Sequence, residues 1–129
     1  MAKLVLDTTF LVDLLRGQKT ALTVAQELEE SGSEVYTTSI NCYELFLGAR
    51  RLSRVAETEA LLADLGVFAL TKEAADEAAK LQHSLASKGE ALDHRDALML
   101  GIALVHGIKN IVCNDEDLER VLEIRVRKY

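Results

Sequence analysis

Apolar positions follow two alternating rhythms along the chain. Leu4-Val5-Leu6 is an unbroken apolar run of the kind that fills a strand buried on both faces. Phe10, Leu11, Leu14 and Leu15 then recur at helical spacing, and Gly17 makes a good stop. Thr20 to Ser31 puts Val24, Ala25 and Leu28 on one face and ends at Gly32, predicting a surface helix. Val35-Tyr36-Thr37 has the β-branched and aromatic make-up of a short strand, and Ser39 is placed to cap a helix running to about Arg50. Val55 to Leu65 predicts another amphipathic helix, stopped at Gly66, and Val67-Phe68-Ala69-Leu70 a third strand. Thr71 is placed to cap a helix with Ala74, Ala78, Leu81 and Leu85 on one face. Lys72, Asp76 and Lys80 form four-residue charge steps on its outer side. Asp93 to His106 predicts a helix apolar enough to be buried on most sides, with Gly107 as its stop. Asn110-Ile111-Val112-Cys113 fits a fourth strand, Glu116 to Leu122 a short helix and Ile124 to Val126 an edge strand. Strands alternating with helices imply crossovers, hence an α/β fold with a mostly parallel sheet covered on both faces.

Composition adds bounds. A chain of 129 residues without repeat or linker predicts a single domain over 1–129, large enough to bury about two-thirds of its unfolded surface. It has no Pro and 49% apolar residues, which excludes a disordered tail. The longest run free of polar residues, Ala97 to Val105, is far too short to span a bilayer. Only Met1, Ala2 and Lys3 precede the first strand, leaving no room for a signal peptide. Cys42 and Cys113 have no metal-binding spacing, so the expectation is two reduced, buried thiols in a cytoplasmic protein. The net charge of −6 argues against gripping nucleic acid by a general basic surface. It leaves room for a protein whose excess acids are gathered around a cation. Basic residues cluster locally, at Arg50, Arg51 and Arg54 and again at Arg125, Arg127 and Lys128.

Four acids stand where acids are costly. Asp7 follows a buried strand, at the carboxyl end where open α/β sheets place their ligands. It could be a helix cap, a metal ligand or a nucleophile. Glu44 shares the spacing of Ile40 and Leu47, a stripe expected to face the core. Asp96 has Met99, Leu100 and Ala103 ahead of it in the most hydrophobic helix, and Asp115 follows Ile111-Val112-Cys113 as Asp7 follows Leu4-Val5-Leu6. A buried carboxylate without a partner is protonated or destabilising. No Lys or Arg is obviously placed to pair with all four, and a shared hard cation such as Mg²⁺ or Mn²⁺ meets the need through oxygens alone.

These residues carry a resemblance. Leu6-Asp7-Thr8-Thr9, Ser39 through Glu44-Leu45, Asp96-Ala97-Leu98 through Ala103, and Cys113-Asn114-Asp115-Glu116-Asp117-Leu118 together resemble the PIN domain, and more narrowly the VapC ribonuclease toxins of toxin–antitoxin pairs. The stretch from Glu44 to Ala49 also resembles the helix after that family's second acid, and the match spans essentially the whole chain. The resemblance implies a three-layer α/β/α fold with the four acids meeting at the carboxyl ends of parallel strands. It implies one or two Mg²⁺ or Mn²⁺ ions that activate water against an RNA phosphodiester. Asp7 and Asp96 are then direct ligands, with Glu44 and Asp115 as ligands or water-mediated partners, and Thr9 placed to hydrogen-bond a carboxylate or the phosphate. It further implies a VapB-like antitoxin as partner and a homodimer, with Tyr43, Phe46, Leu47 and the Val55 to Leu65 helix as candidate interface. Cys113 stands where the family usually has Thr or Ser, and Leu118 where Phe is common; neither removes an acid.

Asp93 shares a face with Asp96, and we read it as a supporting residue or an N-cap. Asp13 and Asp117 read as surface acids. An acidic protein must hold RNA through local cations, so Arg50 and Arg51 are the candidate substrate contacts, with Arg95 nearer the site. Among rivals, a haloacid-dehalogenase-type phosphatase needs a second Asp where this chain has Thr9. A response-regulator receiver needs an acceptor Asp after its third strand, where Leu70-Thr71 supplies none. A PIN nuclease of RNA processing without antitoxin, or a PIN-like binding module, remain as alternatives.

Overall fold

The computed structural model describes residues 2–129. Its first strand, β1 (Lys3–Leu6), leads through α1 (Thr8–Leu15) and α2 (Lys19–Glu30) to β2 (Glu34–Thr38). Helices α3 (Ser39–Leu52) and α4 (Val55–Ala63) connect to β3 (Gly66–Phe68), and α5 (Lys72–Ala86) and α6 (His94–Val105) to β4 (Asn110–Val112). A 3₁₀ turn (Glu116–Arg120) precedes β5 (Arg125–Arg127). The strands lie in the order β3-β2-β1-β4-β5, and every pairing is parallel.

The alternation of side chains along each strand divides the core in two. Leu4, Leu6 and Val112 pack with Phe10, Leu11, Val24, Leu28 and Leu45 on one face. Val5 and Ile111 pack with Leu81, Leu85, Met99, Leu100 and Ala103 on the other. This is the three-layer α/β/α architecture expected from the pattern. Each side chain buried in this way is worth about 1.5–3 kcal/mol. Helices α5 and α6 approach closely because Gly101 has no side chain: a Cβ there would stand 2.5 Å from the Ala74 carbonyl oxygen. After β3 the chain returns to the far side of β1, so the strand order reverses between β1 and β4, the switch point where such sheets open a crevice.

Most helix ends follow the expected chemistry. Thr71 caps α5, and Asp93 caps α6. Three local expectations are corrected. Thr38, not Ser39, caps α3; Thr38 ends the strand in extended conformation, while the Ser39 hydroxyl accepts from the Leu70 amide instead. Helix α4 ends at Ala63, and Gly66 opens β3, where the Tyr36 ring lies 2.5 Å from the position its Cβ would take. The buried stripe of α3 is Asn41, Leu45 and Ala49, so Glu44 is at its margin, half-buried, and Leu47 is exposed. Among the described residues, no helix is long and apolar enough to cross a membrane. Both cysteines are free; Cys113 is buried, and Cys42 is partly so.

Candidate active site

The crevice at the switch point holds the four acids. Asp7, Glu44, Asp96 and Asp115, with Thr8, Thr9, Asn41 and Asn114, line one cavity of about 370 Å³ at the carboxyl ends of β1 and β4. Each acid arrives on a different element, so the convergence is a product of topology and not of sequence proximity.

Asp7 is the most constrained. It is the N-cap of α1, its Oδ1 accepting from the Phe10 amide at 2.8 Å, while its own amide donates to Val112 O at 3.2 Å and so ties β1 to β4. Only 9% exposed, its carboxyl is pushed up to about 7, first by burial and then by the charges of Asp96, Asp115 and Glu44, against the Phe10 hydrogen bond. Asp96, in the first turn of α6, is pushed up to about 6, again by burial first and then by Asp115, Asp93 and Glu44. A pocket that holds two carboxyls near neutrality is short of positive charge.

Glu44 is held from both sides. Thr38 donates to Asn41 Oδ1 at 2.7 Å, Asn41 Nδ2 to Thr8 Oγ1 at 3.0 Å, and Thr8 Oγ1 to Glu44 Oε1 at 2.8 Å. This chain of donors starts in the core, where Asn41 is buried and also meets Met99 Sδ at 3.4 Å, and it polarises toward the carboxylate. The other oxygen, Oε2, faces the Arg95 guanidinium at 3.2 Å. Arg95 also binds both oxygens of Asp93, at 3.1 and 3.3 Å. Asp93 is thus tied to Glu44 through Arg95, and its charge also raises the Asp96 carboxyl. The pairing with Arg95 holds the Asp93 carboxyl below the usual range.

Asp115 is exposed and caps the 3₁₀ turn, accepting from the Asp117 amide at 2.9 Å. Beside it, Asn114 is clamped to the chain's last residue, Nδ2 donating to Tyr129 O at 3.1 Å and Oδ1 accepting from Tyr129 N at 2.9 Å. The Tyr129 ring packs edge-on against Phe10, and its hydroxyl donates to Asp13 at 2.6 Å. Asp13, expected as a plain surface acid, thus helps fix the loop that carries Asp115. The buried Cys113 thiol, pushed up to about 12 by burial and by Asp7, stays protonated and takes no part as a thiolate.

The residues expected in the site are thus partly brought together. The four acids share the pocket and Thr9 lines it, but the hydroxyl that bonds a carboxylate is that of Thr8. Arg50 and Arg51 are exposed in the last turn of α3 and line none of this cavity. Thr8, Asn41 and Asn114 escaped the sequence. Thr8 adjoins Asp7, but nothing marked it above Thr9, and a polar residue at a core position of α3 gives no signal of what it bonds. Among the described residues, no three His, Cys, Asp or Glu side chains lie close enough to clasp one ion as they stand. Asp7 and Asp115 each spend an oxygen on a cap and Glu44 is engaged by Arg95, which accounts for the spread. The donor set, all carboxylate oxygens around a charge-poor cavity, nevertheless fits a hard divalent cation.

Comparison with known proteins agrees with this geometry. The family model described as the PIN domain matches residues 4–123. Ribonuclease VapC19 of Mycobacterium tuberculosis is 30% identical over 100 residues, covering 78% of this chain and 79% of the relative. A DNA-bound VapBC from Salmonella typhimurium superposes with a TM-score of 0.85 at 25% identity, over 99% of this chain and 98% of that one. VapBC2 from Rickettsia felis, bound to a promoter DNA fragment, gives a TM-score of 0.86 at 16% identity over 98% of each chain, a likeness of fold alone. A buried strand delivering Asp7 to a switch point it shares with Glu44, Asp96 and Asp115, matched over nearly the full chain, identifies this protein as a member of the PIN-domain family, similar to the VapC ribonucleases.

Proposed function

We propose that the protein is a metal-dependent endoribonuclease, the toxin of a VapBC-type pair, in which Asp7, Asp96, Glu44 and Asp115 hold Mg²⁺ or Mn²⁺. One observation carries this reading: four carboxylates from four elements converge on one cavity at the switch point, and Asp7 and Asp96 are pushed up toward neutrality by burial first and then by neighbouring acids. A divalent cation there would supply Lewis acidity, neutralising phosphoryl charge and acidifying water in its shell. Asp7 and Asp96 are the direct ligands we assign. Asp7 is fixed by its strand and cap. Glu44 is oriented by the Thr38–Asn41–Thr8 relay, so its free electron pairs keep one direction without reorganisation. Thr9 at the cavity wall offers a hydroxyl to a phosphate oxygen, and the exposed Arg50 and Arg51 offer charge to RNA farther out.

A VapB-like antitoxin is the partner we infer, supported by the likeness to chains from VapBC complexes. The exposed Tyr43 and Leu47 on α3 support a homodimer. RNA cleavage by the purified protein in Mg²⁺ or Mn²⁺, lost on chelation and lost in Asp96→Asn with circular dichroism unchanged, is the expected result. An Asp96→Asn protein that cuts as fast as the parent would refute the assignment.

A further inference from the structure

Beside the acid pocket, and sharing Glu44 with it, a second cleft of about 160 Å³ runs between α1, α3 and α4. Arg16 and Arg54 line it together with Gly48, Ala49 and apolar side chains of α1 and α3. We propose that this cleft is a phosphate-binding subsite for the RNA strand as it leaves the acid pocket, with Arg16 and Arg54 as its cations; the proposal rests on the ribonuclease reading.

Three features of these residues have no role in the fold. The first is Gly48. Four of the seven glycines hold φ near +70°, and Gly66 and Gly101 each have a neighbour 2.5 Å from the position of a Cβ. Gly48 has neither: it lies inside α3 with nothing within 4 Å of a built Cβ. A mid-helix glycine weakens a helix relative to alanine, and here no packing requires it. One turn beyond Glu44, it keeps the cleft open on the face that leads away from the acids.

The second is Arg54. It occupies the N-cap position of α4 and makes no side-chain cap, at the end of a helix where a cation is disfavoured by the macrodipole. Its backbone is nevertheless fixed: its amide donates to Ala49 O at 2.8 Å, and its carbonyl accepts from the Thr58 amide and hydroxyl at 3.3 and 3.1 Å. Ser53 before it takes the left-handed conformation, φ 54°, that turns the chain out of α3.

The third is the absence of partners. Arg16, whose amide donates to Val12 O at 3.0 Å at the end of α1, and Arg54 form no ion pair among the described residues, a property they share with Arg50, Arg51 and Arg125, whereas Arg95, Arg120 and Arg127 are paired. Two unpaired guanidiniums on rigid backbone, beside apolar Val12 and Leu52, suit a phosphate and the face of its sugar or base. A protein of net charge −6 gains RNA affinity from such a local site without a basic surface.

The test uses the full chain, calcium as a non-catalytic ion and a short fluorescent single-stranded RNA, titrated over a range of salt. Arg16→Gln with Arg54→Gln is expected to weaken binding on the order of tenfold at low salt and to make the log–log salt slope shallower by about 0.7, the one single-strand phosphate that the two arginines share. Lys88→Gln with Lys109→Gln, the same charge change elsewhere, is expected to leave the slope near that of the parent. Gly48→Gln is expected to raise the melting temperature while weakening RNA binding, a combination that a purely structural glycine would not give. In Mg²⁺ or Mn²⁺, a dinucleotide too short to leave the acid pocket should be cut by the arginine variant at the parent rate, and a longer RNA more slowly. Equal affinity and slope for parent and arginine variant would overturn the subsite, as would loss of antitoxin retention with RNA binding intact. A parent that binds RNA through the arginines but cuts none with either metal would overturn the ribonuclease reading and leave the subsite standing.

Discussion

Replacing Asp7 by Asn should stabilise the metal-free protein, and only at neutral and alkaline pH. In the fold the Asp7 carboxyl is raised from 3.8 to about 7, so between those values the native state binds a proton that the unfolded chain does not. Stability therefore falls as pH rises through that window, is unaffected by ionisation below about pH 4, and carries the full penalty above pH 7. The shift corresponds to about 4 kcal/mol for the ionised form. Asn is also a good N-cap and keeps the bond to the Phe10 amide, but its amide must be desolvated too, which leaves a net gain of about 2 kcal/mol. For a chain of this length that is a rise in Tm of roughly 6–10 °C. Thermal melts in chelator at pH 8 and pH 4.5 measure it: the variant should melt above the parent at pH 8 and below it at pH 4.5, where the Asp7 penalty has largely gone. Saturating Mn²⁺ should stabilise the parent at pH 8 by mass action and do little for the variant. A variant less stable than the parent at pH 8, or a difference independent of pH, would refute the claim that a buried, crowded charge at Asp7 destabilises the metal-free fold.

Two further outcomes test the framework behind the site. Asn41→Leu leaves Thr38 and Thr8 without their buried partner and should cost about 1–3 kcal/mol in denaturant melts, while lowering the RNA cleavage rate through a loosened Glu44. Gly101→Ala forces a methyl against the Ala74 carbonyl and Ala78 Cβ, and should destabilise by about 1–3 kcal/mol through separation of α5 and α6.

How much of this was legible in the sequence depends on whether a residue's role is set locally. The cap at Thr71, and the cap that was one of two roles open to Asp93, are legible because a cap bonds to amides two or three residues away. Asp7 and Asp115 were legible because a buried strand announces its own end, and the core faces of α5 and α6 because small and apolar residues repeat at helical spacing. Helix α3 defeated the same logic. Ile40 and Leu47 define one candidate stripe and Leu45 with Ala49 another, and only contact with α1 and the sheet selects the second. The core stripe expected of Glu44 is therefore not its place; it borders the core and is held by a relay from Thr38, the cap of its own helix, through Thr8 of α1. Asn41 and Arg16 were invisible for the same reason, since their partners and neighbours are brought to them by topology.

Arg95 couples the acids of the pocket to its rim. Its guanidinium lies 3.2 Å from Glu44 and is itself anchored on Asp93, so it offsets charge at the rim without entering the ring of acids. A divalent ion that recruited Glu44 would have to compete with this pair, so the arginine would weaken metal binding. Arg95→Gln removes the competitor and leaves Asp93 able to cap α6. Mn²⁺ affinity, measured by titration calorimetry at low ionic strength, should then rise about twofold to fivefold, and the gain should shrink in salt because the pair is exposed. An unchanged or weaker Mn²⁺ affinity in the variant would mean that Glu44 is not drawn to the cation, and the acids proposed to hold it would reduce to Asp7, Asp96 and Asp115.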